Sequence, residues 1–198
     1  MGFRTKGDKA MNKIDKRPGH KLFNPWRILG WGVIATLIAL PAVAMQFTSE
    51  VAWQTEDFVF AFVMLGGVGL AFELAVRASG SRAYRGGTAV ALGAGLLTLW
   101  ANAAVGIVGN EDRLINLWFD LVPLLALFAA IGSRFRAPGM AVAMTAAAAA
   151  QLAVGLIVQL AGHFAWVFTV VLTGAWLFSA WLFRKAASET GGAAAGAD

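Results

Sequence analysis

The sequence predicts an all-α membrane protein, a bundle of six transmembrane helices. Three observations lead there. Hydrophobic residues make up 59% of the 198-residue chain and charged residues only 14%, well below the ~25% typical of soluble domains. Six separate stretches reach the roughly 20 apolar residues needed to cross a hydrocarbon core. The basic residues, finally, crowd into alternate connections between these stretches, as expected of a chain that crosses back and forth. A soluble globule of this length could not bury so much apolar surface, and a disordered chain would not contain it.

The spans are expected at 28–47, 57–76, 86–108, 114–132, 139–162 and 164–183. Each must be helical, because inside lipid a segment has to satisfy its own backbone. Asn24-Pro25 supplies an N-cap and an initial proline for the first span, and Pro41 should kink it. Glu56-Asp57 opens the second and Glu111-Asp112 the fourth, where acids complement the helix dipole. Gly66, Gly67 and Gly69 in the second span, with Ala89 and Gly93 in the third, allow close backbone approach. Pro123 should kink the fourth span, and Pro138-Gly139 starts the fifth. Ala141, Thr145, Ala149 and Ala153 form a small-residue stripe along the fifth, suited to packing within the bundle or to a second copy. Most tryptophans fit interfacial belts, whereas Trp100 and Trp176 lie deeper.

Of the 16 basic residues, only Arg113 falls on the side opposite the rest once six helices alternate. Both termini are therefore expected in the cytoplasm of a bacterial inner membrane. Ala42-Val43-Ala44 resembles a signal-peptidase site, but the basic region before the apolar run is longer than an ordinary n-region. Residues 1–23 read as a basic cytoplasmic tail that could lie on anionic lipid. Residues 24–185 form the transmembrane domain, and 186–198 a Gly/Ala-rich tail. The basic excess is assigned to topology and lipid rather than to nucleic acid. A faint parallel repeat links the second and third spans to the fourth and fifth. It pairs Ser81-Arg82 with Ser133-Arg134 and the runs 101–106 and 150–155.

Much chemistry is excluded. The chain has no cysteine, so disulfide, thiol and thiolate-metal chemistry are absent. No lysine lies in a span to carry a Schiff base. His20 and His163, one in the tail and one at the outer edge, provide no paired haem or metal ligands. Ser179 is about 24 Å along a helix from His163, too far for a dyad. No catalytic, cofactor or metal residues are assigned.

Two acids remain inside the spans. Glu73 is one turn before Arg77 and is expected to form an interfacial ion pair. Asp120 lies about 10 Å into the fourth span at ~1.5 Å per residue. Asn116 sits one turn above it, and Asn102 lies at similar depth in the third span. Asn102 and Asp120 should thus meet at one level, either as a structural hydrogen bond or as the lining of a cavity open to the outside. The outer connections add an acidic rim of Glu50, Asp57, Glu111 and Asp112, with His163 beside them. Helix starts account for most of these acids without any ligand.

The runs 45–53 and 106–112, with Asp57-Phe58, resemble small bacterial multispanning membrane proteins, a likeness covering about 40–136. The resemblance implies a membrane fold and transfers no activity. The leading functional expectation is an accessory or interaction protein without its own chemistry, partnered by lipid, a second copy or another membrane protein. An alternative is a small transporter or channel using the cavity around Asp120. A weaker one is a membrane enzyme built on the outer acidic rim.

Overall fold

The fold is described by a computed structural model that covers residues 25–109 and 113–195. Within those residues the regular structure is all-helical, and six helices are each long and apolar enough to cross a membrane. They are α1 (Pro25–Ala44), α2 (Thr55–Ala78), α3 (Arg82–Ala104), α4 (Leu117–Gly132), α5 (Ala137–Leu160) and α6 (Trp166–Ala195). The chain forms two compact units. Met1–Trp53 contains α1, and Gln54–Asp198 contains the other five helices. Proline is the first residue of α1, where its missing N–H would have no helical partner anyway. Asn24 and the basic tail lie outside the described residues.

In the second unit, local chemistry sets each helix end. The Asp57 carboxylate accepts the Gln54 backbone N–H at 2.8 Å, so this acid works at the start of α2. At the other end of α2, Arg85 donates to the carbonyls of Val76 at 3.1 Å and Ser79 at 2.9 Å. These are carbonyls that a helix terminus leaves open. Ser81 caps α3 by accepting the Tyr84 N–H at 3.2 Å, and its hydroxyl donates to Glu189 at 2.8 Å. Gly106 closes α3 at φ 72°, the left-handed conformation that glycine adopts without a Cβ clash. Its N–H donates to the carbonyls of Ala101 and Asn102.

The α4–α5 turn places Arg134 and Phe135 at φ 52° and 56°. Such values are costly for residues with a Cβ, and the Tyr84 hydroxyl braces the turn by donating to the Phe135 carbonyl at 2.7 Å. A single 3₁₀ turn, Leu114–Asn116, leads into α4, where a helical start had been expected. Helix α6 continues to Ala195, through a segment expected to be a tail. Ala186 is buried there, and Glu189 is held by Ser81. Composition suggested a Gly/Ala-rich tail, but alanine also propagates helix well.

Helix α6 packs along α5 and α3, and α4 packs on α5. The closest approach is at Gly155, where an added Cβ would fall inside the Thr169 side chain. Gly87 faces the Phe183 ring, and its carbonyl accepts the Ser179 hydroxyl at 2.8 Å. Gly66, Gly67 and Gly93, expected at close contacts, have open space around them. The expected stripe on α5 is also split. Ala141 is buried, but Ala149 and Ala153 are exposed. The buried face instead runs through Met140, Met144, Ala147, Gln151, Val154 and Val158. Both hairpins of the expected repeat exist, yet Ser81 starts a helix while Ser133 ends one. Outward-facing Phe62, Val142 and Phe178 leave an apolar exterior suited to lipid.

Candidate functional site

Asn102, Asn116 and Asp120 come together where the last turn of α3 meets the entry to α4. The spacing explains the meeting: Asn116 and Asp120 are one turn apart, and α3 packs beside α4. The Asn102 amide nitrogen donates to Asp120 Oδ1 at 2.7 Å and to the Asn116 carbonyl at 2.8 Å. Asn102 Oδ1 accepts the Ile107 N–H at 3.3 Å. Asn116 Oδ1 accepts the Val108 N–H at 2.8 Å, and its amide nitrogen lies 3.5 Å from the Val108 carbonyl. Both asparagines are buried. They splice the 105–109 loop onto the two helices, because a buried backbone N–H left unpaired would be costly.

Asp120 is placed differently. It is half-buried, and with Asn102 holding one oxygen it lines a cleft of about 350 Å³. That volume is at the small end of ligand sites, which run ~300–1,000 Å³. Phe60 and Met64 from α2, Leu99 from α3 and Leu117 from α4 form apolar walls. Arg113 lines the same cleft, and no ion pair joins it to Asp120. The Phe60 ring lies 6.2 Å from the Trp100 ring, so Trp100 supports this wall. Sequence reasoning found the polar trio and missed the walls. Phe60 with Met64, and Leu99 with Asn102, recur at helical spacing, a signal of a shared face. Nothing in that periodicity says which helices adjoin.

Of the expected outer acidic rim, the structure describes Glu50, Asp57 and His163. Asp57 is engaged at the start of α2, and His163 donates its backbone N–H to Val158 in the α5–α6 turn. Glu50 belongs to the first unit, where its N–H donates to the Thr48 hydroxyl at 3.1 Å. Glu111 and Asp112 lie outside the described residues. Among the described residues no three His, Cys, Asp or Glu side chains are grouped to hold a metal ion. Glu73 accepts from Arg77 at 2.9 Å, with Arg77 itself exposed.

A second polar group lies in the core between α5 and α6. Gln151 is fully buried, and neither atom of its amide has a hydrogen-bond partner. The hydroxyls of Thr169 and Thr173 and the Trp176 indole nitrogen are in the same condition. The Gly155–Thr169 contact fixes the antiparallel register. Gln151 and Thr173, each one turn further along its helix, therefore stand at one level. No protein-family model, curated protein or solved structure matches the chain.

Proposed function

We propose that the chain is a small multi-pass transporter of a bacterial cytoplasmic membrane, taking a solute that bears an ammonium group from outside into the cleft at Asp120. The observation that carries this reading is the Asp120 carboxylate in a cleft with apolar walls, held at one oxygen by Asn102. An ionisable group at membrane depth is expensive to keep, so one directed into a cleft has a use there. The distribution of basic residues supports placing the Arg113 end outside and both termini in the cytoplasm. In the core between α5 and α6, the unpartnered polar atoms around Gln151 offer hydrogen-bonding capacity that an apolar core would lack.

A second reading keeps the chain as an accessory protein without its own chemistry, partnered by lipid, a second copy or another membrane protein. It is favoured by the two asparagines, which hydrogen-bond the 105–109 loop, with Asn102 also bonded to Asp120. The enzyme reading is supported least, since the Asp57 carboxylate is engaged at the start of α2. The parallel hairpin repeat and a lipid-bound basic tail remain compatible with either of the first two readings.

Uptake of radiolabelled 3-methylbutylamine into proteoliposomes separates them. Transport predicts uptake above protein-free liposomes and its loss in Asp120→Asn, with thermal stability preserved because an amide oxygen can still accept from Asn102. Equal uptake by both proteins and by empty liposomes contradicts transport of this class. Stoichiometric co-purification of a membrane protein would then favour the accessory reading.

A further inference from the structure

Two opposite charges line one small cleft without neutralising each other. Arg113, which is exposed, and Asp120, which is half-buried, line it together with Phe60, Met64 and Leu99. At cleft depth, charges of opposite sign attract more strongly than in water, so an unpaired arrangement implies that geometry keeps them apart. The geometry here is plain. One 3₁₀ turn and the first turn of α4 separate the two residues, about 10–12 Å along the chain axis at ~2.0 and ~1.5 Å per residue. The Arg113 side chain is directed to Gly109, whose missing Cβ leaves room for the guanidinium stem. It is thereby held at the rim.

Resting on the transport reading above, we propose that the solute is a zwitterion, an α-amino acid or a group of the same chemistry. Its ammonium meets Asp120, its anionic end meets Arg113, and its apolar body lies against Phe60, Met64 and Leu99. A simple cation would leave Arg113 as an unfavourable like charge at the entrance, and a simple anion would face Asp120. Only a ligand carrying both charges makes both cleft charges favourable. The volume of about 350 Å³ accommodates a solute of this size with its apolar side chain. Arginine at the rim suits a carboxylate or a phosphate, because its planar fork binds either in a bidentate way. A free amino acid and a phosphatidylethanolamine headgroup therefore share the recognised chemistry.

The test uses the full chain in nanodiscs of phosphatidylglycerol, which carries no ammonium. Binding is read from the shift of thermal midpoint with L-leucine, 3-methylbutylamine and 4-methylpentanoate, three ligands with one apolar body. Leucine should bind at least tenfold more tightly than either half-ligand. Arg113→Gln should reduce leucine to the affinity of the amine, Arg113→Lys should restore part of it, and Asp120→Asn should abolish both. Phosphatidylethanolamine in the disc that weakens leucine binding tenfold would identify the headgroup as the occupant of the same zwitterion site. Amine binding as tight as leucine binding, unchanged by Arg113→Gln, would overturn the zwitterion while leaving the Asp120 cleft as a cation site. No binding by any of the three, with Asp120→Asn indistinguishable from the parent, would overturn both.

Discussion

Replacing Asn102 by alanine removes three hydrogen bonds at once. The bond to Asp120 at 2.7 Å is the strongest when the carboxylate is charged, in a class worth about 1.5–3 kcal/mol. The bond to the Asn116 carbonyl at 2.8 Å falls in the neutral class of about 0.5–1.5 kcal/mol. The bond from the Ile107 N–H is long at 3.3 Å and adds little. Interhelical hydrogen bonds in membranes average nearer ~0.6 kcal/mol, because the unfolded state also finds partners. Scaled down accordingly, Asn102→Ala should cost about 2–3 kcal/mol. Unfolding in mixed micelles by added dodecyl sulfate, followed by tryptophan fluorescence, measures it. A cycle with Asp120→Ala should return a coupling of about 1 kcal/mol, the share belonging to the direct bond. A loss below about 0.5 kcal/mol for Asn102→Ala would refute the claim that this side chain joins α3, α4 and the 105–109 loop.

Gly155→Ala should destabilise by about 1–3 kcal/mol, the usual cost of overpacking a tight contact, in the same unfolding assay. Thr169→Ala should relieve part of that cost in the double variant. Gln151→Met should be neutral or stabilising by up to about 2 kcal/mol, since it removes a fully buried amide that has no partner. Clear destabilisation would mean that Gln151 binds a polar group in the working protein. Glu73→Gln should change stability by under about 1 kcal/mol, as Arg77 in the pair is solvent-exposed.

The helices were legible because their cause is local. Apolar length, the prolines at 25 and 138 and the acids at 56–57 act within a few residues of each boundary. The Asn102–Asp120 pairing was legible as well, since two antiparallel neighbours joined by a short loop place equal depths side by side. What the sequence could not supply was helix rotation. In the alanine-rich α5 every face looks alike, so the stripe through Ala149 and Ala153 read as buried although it is exposed. The contacts at Gly87 and Gly155 depend on partners more than ten residues away, which periodicity does not identify. Arg85 counted only toward the basic side and Ser81 only toward the repeat, whereas each serves a helix end. The cleft walls were missed for the same reason as the stripe, because they come from three helices whose adjacency is tertiary.

The central claim, that the Asp120 cleft opens to the outside, is tested most directly by thiol labelling in intact cells, where the chain itself supplies no cysteine. Ala103→Cys places a thiol in the cleft wall, and Gly80→Cys places one in the open turn between α2 and α3. A membrane-impermeant quaternary-ammonium methanethiosulfonate added outside should modify Ala103→Cys and spare Gly80→Cys, and a zwitterionic solute should slow the reaction. Modification of Gly80→Cys from outside, with Ala103→Cys reacting only in inverted vesicles, would contradict the account.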